Sequence, residues 1–416
     1  MMRYQKPKGT RDIYGQELER IEHINHIARK FFKLNGFIEI KTPTFESVEL
    51  FIRSIGEHTD IVEKEMYTFE HDEKLYVLRP EGTAAVLRAV LENRINPPCR
   101  LLYIGQMFRK EKPQKGRYRE FLQIGIELIG ESAPFYDAEC INLAKRFLNS
   151  IGTTEFLLEL NSIGCPGCRE AYKRILNDFL KSKKDALCVD CQRRFEKNFL
   201  RIFDCKNSNC QEIYEEAPKI TDNLCHDCQT HYLKTKEFLE RLDIEFIENK
   251  KLVRGLDYYT RTVFEFKLKG LGAQDTIVAG GRYDLLMKEL GGDDTPCVGW
   301  AMGVERMLLA LPENLPVIKK NKRFFVAIMG EGLFDEGVKL RDTIINKGGI
   351  CLIGNPLDKI KSQLKEANHY RVDYVIIYGE DEARKGVYTI KDMSTGEQKE
   401  IARIELENYL ISIIKE

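Results

Sequence analysis

Arg100–Gly130 reads RLLYIGQMFRKEKPQKGRYREFLQIGIELIG, and its two apolar arms decide how the surrounding chain folds. Leu101–Phe108 has the composition of a strand and runs into Arg109. Phe121–Ile129 is a second strand, with Gln123, Gly125 and Glu127 at every second position. A period of two places these three on one face, and Leu122, Ile124, Ile126 and Leu128 on the other. One side is wholly apolar; the other bears an amide, a gap and a carboxylate, which is how a polar floor is laid on a rigid sheet. Between the strands lie Lys110, Lys112, Lys115, Arg117 and Arg119, against Glu111 and Glu120. Cations between two apolar strands suit phosphate binding. A half-exposed hairpin with a solvated face is the plainer alternative.

Upstream, Ile21–Phe32 carries Ile21, Ile24, Ile27, Ala28, Phe31 and Phe32 at a helical period, and Gly36 ends that helix. Phe37–Ile40 is a strand closed by Pro43, which suits an edge or a strand end. Met66–Phe69 and Leu75–Leu78 predict a hairpin turning across Glu70–Lys74. It leads into Arg79-Pro80-Glu81-Gly82-Thr83. Glu81 sits at a strand-to-helix junction, where a carboxylate can cap the helix or receive a substrate ammonium.

Downstream, Leu252–Phe266 reads LVRGLDYYTRTVFEF. Thr262–Phe266 alternates as a strand with one buried face. Before it stand Arg254, Asp257, Tyr258, Tyr259 and Arg261. A guanidinium and two phenols beside a core strand suit a small zwitterion. An amphipathic strand with solvated charges is the competing view. Ala279-Gly280-Gly281-Arg282-Tyr283-Asp284 lets backbone approach a ligand closely. Cys297–Arg306 predicts a small-residue strand, a turn, and Arg306 early in an apolar helix, as a surface charge or a phosphate clamp. Pro312–Lys322 reads as a linker. Beyond it, strands Phe324–Met329, Ile350–Ile353, Tyr374–Tyr378 and Val387–Lys391 alternate with helices Leu333–Ile345 and Leu357–Ala367, and a closing helix runs to Ile414. This is the pattern of a three-layer α/β domain. Met329-Gly330-Glu331-Gly332 after its first strand is not a P-loop.

The 416 residues predict two or three domains. A hydrophobic share of 43% with 31% charged residues places the chain among soluble globular proteins. There is no apolar run long enough for a membrane helix. Met1–Gly9 has no apolar core or cleavage-like site, so no secretory leader and a cytoplasmic location are expected. With a net charge of zero, a nucleic acid would be held by a local basic patch and not by a global field.

Twelve cysteines are many for such a chain, and eight form four pairs: Cys165/Cys168, Cys188/Cys191, Cys205/Cys210 and Cys225/Cys228. In a reducing compartment this spacing favours metal over disulfide. Two pairs supply one tetrahedral zinc site, so eight thiols could hold two structural Zn2+ ions. Reduced thiols packed among helices are the alternative, and the spacing does not say which pairs meet. Residues 165–235 read as a charged insertion with little apolar area, which a metal would stabilise.

Together these stretches resemble the histidyl-tRNA synthetase family of class II aminoacyl-tRNA synthetases. Arg254–Tyr259 with Thr262–Glu265 resembles the family's histidine signature, and Ala279–Asp284 its second. The segment to Pro43, the Phe108-Arg109…Phe121 hairpin and Gly299–Arg306 resemble the three class II motifs. Leu122 stands where the family commonly has histidine. The resemblance implies an α+β catalytic domain with an antiparallel sheet over residues 1–320, interrupted by the cysteine-rich insertion, and an anticodon-binding domain over residues 323–416. It implies a homodimer that joins L-histidine to tRNA(His) at the expense of ATP with Mg2+. It places Glu81, Gly82 and Thr83 at the histidine α-amino group, and Gln123, Glu127, Tyr258 and Tyr259 around its carboxylate and imidazole. Arg109 and Arg254 fall at the α-phosphate as the catalytic pair, within reach of histidine too. Arg306 falls at the γ-phosphate end and Phe121 under adenine. Two rivals share this fold: a regulatory paralogue in histidine biosynthesis, which would lack the C-terminal domain and the histidine signature, and a catalytically dead sensor of tRNA or nucleotide, which would lack Arg109, Arg254 or Glu81.

Overall fold

The structure is a computed structural model that describes residues 4–57, 59–268, 275–311 and 321–415. It divides into two compact units, Met1–Leu315 and Pro316–Glu416. Except for its last two residues, the predicted linker Pro312–Lys322 lies outside the described residues.

The first unit is built on an eight-stranded sheet. Its six inner strands, in spatial order Cys99–Phe108, Glu120–Ile129, Cys297–Gly303, Thr276–Arg282, Thr260–Leu268 and Phe156–Ser162, are antiparallel throughout. A two-residue strand extends each edge in parallel: Ile38–Glu39 beside Cys99–Phe108, and Ile247–Glu248 beside Phe156–Ser162. The expected antiparallel sheet is therefore mixed at its margins. Both edge strands are entered from a helix, Gln16–Leu34 or His226–Arg241, and a chain re-entering that way can run parallel to its neighbour.

The period of two in Glu120–Ile129 sorts its side chains as the sequence requires. Leu122, Ile124, Ile126 and Leu128 pack into a core with Ile24, Ala28 and Phe32 of the first helix and Ile141, Ala144 and Phe147 of the helix Pro134–Ser150. Trp300 joins this core, its ring stacked on Phe147 at 6.1 Å. The other face of the sheet carries Tyr103, Tyr258, Tyr259 and Tyr283. Tyr172, Leu176, Leu200, Ile202 and Tyr214 of the insertion are buried in the same cluster. The insertion thus shares one core with the sheet, which corrects the expectation that it has little apolar area.

The predicted hairpin is present as Tyr67–His71 and Lys74–Leu78, and Phe45–Ser47 completes a small three-stranded sheet. Its turn is only Asp72-Glu73, both at positive φ (49° and 58°), tighter than the span expected. Two left-handed residues match the twist of the strands they join.

The second unit has a five-stranded sheet in the order Ile350–Ile353, Arg323–Met329, Tyr374–Gly379, Val387–Asp392, Gln398–Ala402. The first three strands are parallel and the last two antiparallel. Phe324, Val326 and Ile328 face the helices Phe334–Asn346 and Leu406–Lys415, while Phe325, Ala327 and Val375 face Ile360–His369. This is the three-layer arrangement the alternation predicts. Gln398–Ala402 was not foreseen as a strand, because QKEIA is polar and exposed, as an edge strand often is.

Candidate active site

Hairpin, histidine-signature stretch and glycine-rich strands converge on one cavity of about 670 Å³. Glu81, Thr83, Arg109, Phe121, Gln123, Arg254, Tyr258, Tyr259 and Arg306 all line it. Gly82 and Glu127 do not, and each lies just behind the wall for a definite reason. The Tyr103 ring crosses both Gly82 and Gly125, and a Cβ on either would stand 2.3 Å from it. That ring fills the gap expected at Gly125, and its hydroxyl donates to Gln123 Oε1 at 3.1 Å.

Glu127 is held from two sides. Thr83 Oγ1 donates to its Oε1 at 2.7 Å, and the Tyr283 hydroxyl donates to its Oε2. A Cβ at Gly299 would fall 2.0 Å from that same Oε2, so only glycine leaves the carboxyl its place. Burial pushes the Glu127 pKa up to about 8, against the pull of the Tyr283 and Thr83 hydroxyls. Tyr283 lines the cavity, and its ring meets those of Tyr258 and Tyr259 edge-on at 5.4 and 6.1 Å. Sequence reading passed over this tyrosine, although it lies inside the glycine-rich segment singled out.

Glu81 fulfils its capping role. Its carboxylate accepts from the backbone N–H groups of Thr83 at 2.7 Å and Ala84 at 2.9 Å, opening the helix Thr83–Glu92. Burial raises its pKa; those N–H groups and Arg109 oppose the shift. A carboxylate has about four acceptor positions, so the two caps leave it able to take an ammonium.

Three arginines supply positive charge. Arg109 donates through Nε to the Pro80 carbonyl at 2.8 Å, and its guanidinium lies 5.4 Å from the centre of the Phe121 ring. Arg254 is ion-paired with Glu265, and its Nε is buried without a hydrogen-bond partner. Burial is the largest influence and works against the Arg254 charge, but Glu265, Tyr259, Asp204 and Tyr258 together outweigh it and the pKa is raised. Thr276 Oγ1 donates to Glu265 at 2.7 Å, and Arg306 donates to the Thr276 carbonyl at 2.8 Å. Glu265 and Thr276, both cavity residues, thereby link two arginines that the sequence offers only separately. Arg306 lies in the first turn of the helix Val304–Ala310.

Part of the basic loop is consumed by the fold. Arg117 is paired with the buried Glu111. Arg119 reaches the Lys8 carbonyl at 3.1 Å. Lys110, Lys112 and Lys115 remain exposed. Leu122 packs in the core, and its N–H is received by the Glu305 carboxylate at 2.9 and 3.0 Å. The paired cysteines also come together, as two groups of four.

Comparison with known proteins accounts for both units. A family model described as histidyl-tRNA synthetase matches residues 9–307, and one described as anticodon binding domain matches residues 323–413. The chain is 46% identical over 420 residues to a histidine–tRNA ligase of Thermosipho melanesiensis, covering 99% of each chain. It is 45% identical over 415 residues to that of Thermotoga maritima, covering 98% of each. The structure of apo histidyl-tRNA synthetase from S. aureus matches with a TM-score of 0.80 at 32% identity, over 98% of this chain and all of that one.

Proposed function

The chain belongs to the histidyl-tRNA synthetase family, and from that premise we propose how its cavity carries out the reaction. It is a histidine–tRNA ligase: it activates L-histidine with ATP to histidyl-adenylate and transfers the histidyl group to the 3′ end of tRNA(His). The observation that carries the residue assignments is the single cavity joining Glu81, Gln123 and the tyrosines to Arg109, Arg254 and Arg306.

In the first step a carboxylate oxygen of histidine bonds to the α-phosphorus of ATP, and the bond to the bridging oxygen of pyrophosphate breaks. Both reactants are anions, so fixed cations at the transferring group supply most of the acceleration. Arg109 and Arg254 provide planar donors that keep their charge. The unpartnered Nε of Arg254 is a donor ready for an incoming oxyanion. Arg306 meets the β- and γ-phosphates, which arrive with Mg2+ as part of the substrate. Phe121 stacks under adenine. In the second step a ribose hydroxyl of the terminal adenosine attacks the adenylate carbonyl, and AMP leaves.

Glu81 accepts the α-ammonium, with Thr83 beside it; Gln123 and Tyr258 orient the carboxylate end. Recognition of imidazole runs through Tyr283 and Tyr259. Tyr283 donates its hydrogen bond to Glu127, so its lone pairs accept from an imidazole N–H facing the cavity. Glu127 acts one shell further out than the resemblance implies. A side chain without ring N–H groups leaves these hydroxyls unpaired, which discriminates by on the order of 10⁴.

A homodimer is favoured by the small three-stranded sheet, whose Phe45 and Phe69 are 52% and 41% exposed and packed against Tyr76. The anticodon-binding match, together with the exposed lysines of the hairpin loop, supports a joint grip on tRNA. No helix among the described residues is long and apolar enough to cross a membrane; use of tRNA and ATP supports a cytoplasmic location. Neither rival finds support: the C-terminal match, the histidine signature and Glu81, Arg109 and Arg254 are all retained. Charging of tRNA(His) with labelled histidine by the purified protein tests this reading; absence of histidyl-tRNA would reject it.

A further inference from the structure

The eight insertion cysteines fall into two sets, Cys165, Cys168, Cys225 and Cys228, and Cys188, Cys191, Cys205 and Cys210. Within each set every Sγ lies within 4.8 Å of every other. Cys165 and Cys168 sulfurs are 3.6 Å apart, and those of Cys188 and Cys205 are 3.8 Å apart. A disulfide requires about 2.05 Å. Four sulfurs about 2.3 Å from one tetrahedral ion stand about 3.8 Å from each other. The first and fourth pairs meet, as do the second and third, a nesting that spacing alone does not reveal.

The backbone around both sets is arranged for thiolates. Cys165, Cys188 and Cys225 are the N-caps of the helices Pro166–Leu180, Val189–Lys197 and His226–Arg241. Cys168, Cys191 and Cys228 follow in the first turns, as Cys210 does in Ser208–Glu215. Each set thus gathers two helix N-termini, whose partial positive charge favours the ionised sulfur. Backbone N–H groups add to this: Cys225 donates to Cys168 Sγ at 3.1 Å, Cys188 to Cys210 Sγ at 3.3 Å and Asn207 to Cys205 Sγ at 3.4 Å.

Both sets also brace the segment that carries Tyr258 and Tyr259. Beside Cys168, Arg169 donates to the Tyr259 carbonyl at 3.2 Å and the Asp257 carbonyl at 3.4 Å. Between the cysteines of the other set, Asn198 is bonded to the Asp257 carboxylate, and Arg201 is paired with Asp60 at 2.9 Å. Arg194, Arg201, Asp204 and Lys206, all lying between Cys191 and Cys210, line the active-site cavity.

We propose that each set binds one Zn2+ through four thiolates, and that the two closed sites, through Arg169 and Asn198, fix the wall of the amino-acid pocket at Asp257 and Tyr259. Four thiolates complete the tetrahedron, so neither ion has a position for substrate and both act through structure. The bracing role rests on the reading of the cavity as the histidine site; the metal sites do not.

The full-length protein, purified without added metal, should contain about two zinc per chain, with an absorption edge fitting four sulfurs at about 2.3 Å. Less than about 0.2 zinc per chain, iron in its place, or nitrogen in the coordination shell would overturn the sites. Cys188→Ser with Cys210→Ser should remove one zinc, whereas Cys188→Ser with Cys228→Ser should remove both; the reverse pattern would overturn the pairing. The first double variant should raise KM for histidine by roughly tenfold or more while KM for ATP stays within about twofold. Loss of zinc with an unchanged histidine KM would overturn the bracing role. If a variant fails to fold, chelator-treated wild type replaces it: histidine affinity by calorimetry should fall as zinc leaves and return when zinc is restored, and affinity indifferent to zinc again refutes bracing. Zinc-replete wild type unable to form adenylate would instead count against the ligase reading, leaving the metal sites standing.

Discussion

Replacing Glu127 by glutamine should change how the stability of the catalytic unit depends on pH. Burial lifts the Glu127 pKa from 4.5 to about 8 in the folded chain. Between those values the folded protein keeps a proton that the unfolded chain has lost. Folding therefore binds protons, and the contribution of Glu127, complete below 4.5, declines as pH rises towards 8. Each pH unit is worth about 1.4 kcal/mol. From pH 5 to pH 8 the loss is about 4 kcal/mol. Glutamine is neutral throughout and keeps an acceptor for Thr83, while the Tyr283 hydroxyl can rotate to accept from its amide. With unfolding entropy near 2.1 cal/mol/K per residue, a unit of this size loses about 1.5 °C of Tm per kcal/mol. The Tm of Glu127→Gln minus that of wild type, read by calorimetry, should thus grow by about 6 °C between pH 5 and pH 8. Asp284 and Asp137, whose shifts have causes other than Glu127, cancel in the difference. A difference that stays flat within about 1 °C would show that Glu127 is already ionised at pH 5.

Arg254→Ala, made together with Glu265→Gln so that no carboxylate is left unpaired, should slow histidyl-adenylate formation by on the order of 10²-fold and change histidine affinity far less; single-turnover rates within about threefold of the Glu265→Gln parent would refute the assigned role. Glu127→Ala should raise KM for histidine and leave KM for ATP nearly unchanged, and equal losses for both substrates would point to a structural role. Deleting residues from Lys322 onward should leave activation of histidine measurable and reduce charging of tRNA. Unchanged charging would remove the anticodon-binding role from the second unit.

Much of this site is legible because strand periodicity is a local property. The alternation in Glu120–Ile129 alone separates Leu122, Ile124, Ile126 and Leu128 from Gln123 and Glu127, and the structure obeys it. Arg109, Arg254, Arg306, Tyr258 and Tyr259 are likewise visible as residue types in the strands and turns that hold them. What stayed hidden depends on contacts between distant positions. Tyr283 meets Glu127 across 156 residues of sequence, and Tyr103 fills the space that Gly82 and Gly125 leave. Arg117 looked available for phosphate but is committed to Glu111. The cysteine pairing follows from where helices begin in space, which cysteine spacing does not encode.

The central claim is that this cavity couples histidine, and histidine alone, to the α-phosphate of ATP. ATP–pyrophosphate exchange measured with each of the twenty amino acids tests it most directly. Histidine should support rapid exchange, with every other amino acid slower by on the order of 10⁴ in kcat/KM. No exchange with histidine, or comparable exchange with another amino acid, would contradict it.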